Sequence, residues 1–157
     1  MKKKIYEYFV KISLILIGLA VKINSYKLCA LIIWLNIRKL KIIKSSSSNQ
    51  KKILVFPKSN GTEDLIETFK NKKTNFIFFV LPRPFIKEIY SHYFDEKYKK
   101  DYFTKLNKLE DIKKKNLYIN FLTLVFKSLK SFIKLDGYIS FNIFYFAEKY
   151  FEEACIN

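Results

Sequence analysis

KKILVFPKSNGTEDLIETF, residues 51–69, holds an apolar run, a polar turn and an amphipathic stretch in direct succession. The run ILVF is apolar at every position, as a strand covered on both faces requires. Thr62 then stands where a helix N-cap belongs, with Glu63 and Asp64 in the first turn, where carboxylates complement the helix dipole. Leu65, Ile66 and Phe69 follow at the spacing of a buried helical stripe. A strand passing through a turn into a helix is the first half of a β-α unit.

The pattern repeats downstream. NFIFFVLP (75–82) is a second buried strand, stopped by Pro82 and Pro84, and Phe85, Ile86, Ile89, Tyr90 and Tyr93 then recur at helical spacing. A charged, tyrosine-rich stretch (95–116) reads as short helices or loop. Residues 117–134 predict an amphipathic helix with Leu122, Val125, Phe126, Leu129, Phe132 and Ile133 inside and Lys127, Lys130 and Lys134 in water. DGYISFN (136–142) predicts a third strand, and Ile143, Phe146, Ala147, Tyr150, Phe151 and Ala154 the core stripe of a last helix. The order β-α-β-α-α-β-α predicts an α/β lobe: a small Rossmann-like parallel sheet of three or more strands with covering helices. A doubly wound sheet would continue to another strand, so the lobe over 51–157 is expected to be minimal or cut short.

The 157-residue chain is 50% hydrophobic, too apolar for a disordered one, and carries 30 basic against 14 acidic groups, a net +16. Lys, Ile, Phe, Tyr and Asn are common while Ala, Gly, Pro and Arg are scarce, so an AT-rich coding bias accounts for part of that charge. Only Arg38 and Arg83 are arginines, and the aromatic residues fall mainly at core positions. Both facts argue against a nucleic-acid-reading surface. The charge is concentrated instead: residues 1–50 hold ten basic groups and one acid, Glu7.

Those fifty residues contain two apolar runs, ISLILIGLAV (12–21) and LCALIIWLNI (28–37), separated by KINSYK with Lys22 and Lys27. Each is short of the roughly 20 residues of a membrane span. Joined, they place two lysines mid-span at about 2.5–3.5 kcal/mol each, against about 0.3–0.6 kcal/mol gained per Leu or Ile. At about 100° per residue Lys4, Glu7, Lys11, Gly18, Lys22, Ser25, Cys29 and Asn36 share one arc of a helix. A helix lying in the membrane interface, or a shallow helical hairpin, is therefore expected, touching an anionic surface through Lys2, Lys3, Lys4, Leu14, Leu16, Leu31, Trp34, Arg38 and Lys39. A single-pass span is the alternative, and GLAVKINSYK offers a poor signal-peptide cleavage site. The expected organisation is a membrane-associating segment over 1–44, a serine-rich linker (SSSSNQ) over 45–50, and the lobe beyond. The expected location is the cytoplasmic side of the inner membrane.

Open α/β sheets bind ligands beyond the carboxyl ends of their strands. Three segments fall there: KSNGTED (58–64), PRP (82–84) and SFN (140–142). KSNGTED is neither GxGxxG nor a Walker loop, so it announces no nucleotide cradle. Lys58, Ser59, Asn60 and Gly61 are candidates for a sugar or lipid-phosphate headgroup, set against a simple capped connection. Arg83 is a candidate anion contact or a solvated loop arginine. Ser140 and Asn142 either line the same crevice, or Asn142 caps the last helix. His92 reads as a partly exposed helix residue, and neither Cys29 nor Cys155 has partners at metal-ligand spacing. No metal or cofactor is indicated. Glu110–Asp111 and Glu152–Glu153 read as solvated pairs, and no catalytic residue is assigned.

KKILVFPKSNGTEDLIETF together with DGYISFNIFYFAEKYFEEACIN resembles the N-terminal lobe of bacterial surface-polysaccharide biosynthesis proteins, capsule or lipopolysaccharide type, which are two-lobed and glycosyltransferase-like. The likeness covers residues 51–157 and lies in a strand ending in FP, a polar turn, and a later ISFN strand entering an aromatic-rich helix. It implies that a C-terminal lobe holds the donor while this lobe faces a lipid-linked or sugar acceptor. A chain with only the acceptor-side lobe would need a separate C-terminal lobe and would not transfer sugar alone.

Overall fold

The structure, a computed structural model, describes residues 2–43, 50–56, 66–70, 74–94, 109–140 and 153–156. In chain order its elements are α1 (Lys2–Lys22), α2 (Tyr26–Asn36), β1 (Arg38–Ile42), β2 (Gln50–Phe56), β3 (Asn75–Val80), α3 (Arg83–Ser91), α4 (Leu109–Ile133) and β4 (Gly137–Ser140). Single helical turns occupy 66–69 and 153–156.

The strands form one mixed sheet in the order β1-β3-β2-β4. β2 is flanked on both sides by parallel neighbours, with Leu54 opposite Phe79 and Tyr138, and Val55 opposite Val80 and Ile139. The uninterrupted apolar run of β2 follows from this central place. Its alternate residues feed two cores: Leu54 and Phe56 join Phe79 on one face, while Val55 joins Phe78 and Val80 on the other. Phe69, from the turn at 66–69, packs on that second face against Phe76 at 4.8 Å and Phe78 at 5.2 Å. α3 and α4 lie on the first face. The two crossovers run in opposite directions along the sheet, so crossovers of one hand must lie on opposite faces, and their described parts do: Phe69 packs on the second face, α3 and α4 on the first.

The three expected strands are present and mutually parallel, but the sheet is not all parallel. Arg38–Ile42, expected to be a basic flank of the membrane segment, forms β1, antiparallel to β3 with Leu40 opposite Phe78. The short alternation R-K-L-K-I explains it. Leu40 and Ile42 pack into the second core while Lys39 and Lys41 stay exposed, and Lys39 Nζ lies 5.8 Å from the Phe79 ring centre. Charged side chains on an edge strand also discourage pairing with other chains.

The segment before the sheet is part of the same packing. α1 ends in a Schellman motif: Ser25 N–H donates to Ala20 O at 2.7 Å and Asn24 N–H to Val21 O at 2.9 Å, with Asn24 in the left-handed region at φ 53°. Asn tolerates that conformation better than other non-glycine residues. The expected polar arc from Lys4 to Asn36 on one helix is therefore broken at Asn24. Beyond the break Cys29 is buried, and Asn36 turns inward to donate to Ser13 Oγ at 3.2 Å and Ile32 O at 2.8 Å. Ile17, Ala20, Ala30 and Ile33 enter the same core as Leu54, Phe85 and Leu122. At Gly18, α1 approaches α3 so closely that a Cβ would sit 3.1 Å from Glu88 Oε1 and 3.2 Å from His92 Nε2. Leu14, expected at the membrane, instead packs half-buried against this core.

Two of the four expected helical stripes are seen, while Leu65 and the residues 143–151 of the last stripe lie outside the described residues. Phe85, Ile86, Ile89 and Tyr90 of α3 are buried, as are Leu122, Val125, Phe126, Leu129 and Ile133 of α4. Ile66 and Phe132, expected inside, are exposed. α4 begins at Leu109, so the stretch read as loop or short helices is helical from there. Tyr118 anchors an aromatic cluster, 5.5 Å from Tyr90 and 5.8 Å from Phe94 between ring centres.

Asp136 pins β4 to β2. Its backbone N–H donates to Lys52 O, and its Oδ2 accepts the Lys52 N–H, each at 2.8 Å; Lys51 Nζ lies 3.7 Å from Oδ1. The Lys52 hydrogen bond, helped by the Lys51 and Lys52 charges, holds the Asp136 carboxyl below the ordinary carboxylate value of 3.8. A lowered folded-state pKa stabilises the fold above the unfolded value and loses that contribution as pH falls through the folded one. Asp136→Asn is thus expected to lower the denaturant midpoint at about pH 6, with the gap narrowing by about pH 3.

Candidate functional site

α1 carries two apolar seams with the same three-and-four-residue spacing. Val10, Ser13, Ile17 and Ala20 face the core, while Phe9, Ile12, Leu16, Leu19 and Ile23 face out. Ile15 beside the outer seam is 65% exposed, and Ile23 at its end 69%. On α2, Leu28, Leu31, Trp34 and Leu35 are likewise exposed opposite the buried Cys29, Ala30, Ile32 and Ile33.

The two outer faces adjoin. Ser13 and Asn36 mark the seam between the helices. At about 100° per residue, Phe9 and Leu16 flank it on the solvent side of α1, and Leu28 and Leu35 do so on α2. Trp34 continues the surface to α4, its ring 6.0 Å from Phe132, which is also exposed. A soluble surface rarely leaves so many large apolar side chains together. Lys11 and Lys22 border this face on α1, and Lys27 does so on α2, all exposed. Lys11 Nζ lies 6.0 Å from the Tyr8 ring.

Among the described residues, no helix is long and apolar enough to cross a membrane. Of the expected membrane contacts, Leu16, Leu31 and Trp34 lie on the exposed face. Lys2, Lys3 and Lys4 form the first turn of α1, and Arg38 and Lys39 are exposed on β1.

The expected ligand crevice is described only in part. Arg83 opens α3, just past β3, and Ser140 ends β4 at the same edge of the sheet. With β2 between them, and strands about 4.8 Å apart, they are separated by roughly 10 Å along that edge. Lys58, Ser59, Asn60, Gly61 and Asn142 lie outside the described residues. His92 ends α3 beside Glu88, with Nε2 3.4 Å from Oε1. Burial pushes the Cys29 thiol up to about 12, which keeps it protonated and unreactive. Among the described residues, no three His, Cys, Asp or Glu side chains converge on a metal-sized site.

A cleft of about 250 Å³ opens at the opposite end of the sheet, at the start of β4. Leu54, Phe126, Leu135 and Ala154 line it with Thr123, Lys127 and Lys130 of α4. Lys115 Nζ, 3.2 Å from Glu153 Oε2, ties α4 to the turn at 153–156 that closes one side. No run in the sequence signals this cleft, because its residues come from β2, α4, β4 and the chain's last described turn.

Compared with known protein families, curated proteins and solved structures, the chain matches none.

Proposed function

We propose that the chain is a Rossmann-like lobe that works on an anionic membrane surface, attached through the outer face of the α1–α2 hairpin. The observation that carries this reading is the continuous exposed apolar face bordered by Lys11, Lys22 and Lys27. Fully burying a Leu or Ile side chain is worth about 1.5–3 kcal/mol, and a lysine near an anionic leaflet about 1 kcal/mol. A second copy of the chain fits this face less well. Two-fold pairing would set like lysine rims against each other on proteins of net +16. The Rossmann-like part is supported by β2 standing between β3 and β4, with the described parts of the crossovers on opposite faces.

Within this reading, the resemblance of residues 51–157 to surface-polysaccharide proteins supplies the task. The lobe presents a lipid-linked or sugar acceptor on the cytoplasmic side of the inner membrane, and a separate C-terminal lobe brings the donor. Attachment beside the bilayer suits an acceptor embedded in it. Vesicle flotation tests the attachment. The full chain is expected to float with phosphatidylcholine vesicles containing about a third phosphatidylglycerol, and less well as salt screens the lysines. A chain left at the bottom of the gradient at low and physiological salt alike would refute it.

A further inference from the structure

The cleft at the start of β4 combines three features. Its floor is apolar, formed by Leu54, Phe126, Leu135 and Ala154. At its mouth stand Lys127 and Lys130, exposed, close together on α4, and without an ion pair among the described residues. Asp136, the lining carboxylate, is already engaged by Lys52 N–H and Lys51. The wall between floor and mouth holds Thr123, only 8% exposed, whose Oγ1 has no hydrogen-bond partner. A helical threonine ordinarily returns its hydroxyl to a carbonyl of the preceding turn. A buried hydroxyl that makes no bond destabilises the fold, and such groups call for an explanation.

We propose that this cleft binds a small amphipathic organic anion. The charged group sits between Lys127 and Lys130, the Thr123 hydroxyl donates to it after a turn about χ1, and the apolar body lies on Leu54, Phe126 and Ala154. The two lysines supply charge-assisted hydrogen bonds at an open mouth, and the floor supplies burial for a chain or ring of modest size. The unsatisfied Thr123 is the stability sacrificed to keep a donor ready. This proposal uses none of the residues of the hairpin face and stands whether or not the chain meets a membrane.

Octanoate is the probe, with octan-1-ol and inorganic phosphate as controls, each titrated into the full chain and followed by backbone amide NMR. Octanoate is expected to shift the amides of Thr123, Lys127 and Ala154 saturably, while octan-1-ol and phosphate each bind there at least about tenfold more weakly. The double substitution Lys127→Gln/Lys130→Gln is expected to weaken octanoate binding about tenfold or more. Thr123→Val should weaken it as well while raising the unfolding midpoint, a combination that a purely structural threonine would not give. Three results would overturn the proposal: octanol shifting these amides as effectively as octanoate, shifts confined to α1 and α2, or unchanged affinity in the double variant.

Discussion

Ile15→Glu/Leu19→Glu is expected to abolish vesicle binding and leave the fold intact. Both side chains sit on the outer face of α1, with Ile15 65% exposed, and no core residue depends on them. Their loss removes about 3–6 kcal/mol of apolar transfer, taking about 1.5–3 kcal/mol for each, and adds two charges repelled by an anionic leaflet. Binding should fall by at least about 100-fold. Thermal unfolding should stay within about 0.5 kcal/mol of the parent, as for most surface substitutions. Flotation and a melting curve on the same sample separate the two effects. A variant that floats as the parent does would remove the hairpin face from the attachment.

The inward side of the same helices predicts the opposite. Ile17→Asp and Ile33→Asp each place a carboxylate at a position 0% exposed, among Ala20, Ala30 and the side chains of α3 and α4. An unpaired buried charge costs about 4 kcal/mol or more, comparable with the whole stability of a small domain, about 5–15 kcal/mol. Each substitution is expected to abolish the cooperative transition of the entire chain, sheet included, in circular dichroism and amide exchange. Loss of protection restricted to α1 and α2, with β2 and β3 still protected, would mean that the hairpin is an independent attachment. The contrast is sharp because Ile15 and Ile17 are two residues apart on one helix.

That contrast also shows what a sequence of this kind reveals. The runs at 52–56 and 75–80 read as buried strands because every position is apolar, and the period in 85–93 and 117–133 marked the inner faces of α3 and α4. The N-terminal helices were harder for a physical reason. Both seams of α1, through Val10 and Ile17 and through Phe9 and Leu16, have the same period, and the outer one is the more apolar because the inner one carries Ser13 and Ala20. Periodicity alone does not say which of two apolar stripes meets protein and which meets another medium. The break at Asn24 carries no glycine or proline, so one helix and a helical hairpin both stayed open, and the single-helix arc assigned Cys29 and Asn36 to a face they do not share. β1 was obscured by its own lysines: three of its five residues are basic, and only Leu40 and Ile42 betray a strand. Of the site residues, Arg83 and Ser140 fall at the expected edge, whereas Thr123 and Lys130 gain meaning only when β4 and the turn at 153–156 pack beside α4.

Trp34 offers the most direct test of the hairpin as a two-sided element. It is the single tryptophan, 39% exposed on the outer face of α2 beside Phe132. With anionic vesicles its emission is expected to shift to the blue and to be quenched by lipid brominated on its acyl chains, while circular dichroism stays unchanged. An emission spectrum that neither shifts with vesicles nor responds to brominated lipid would contradict the account.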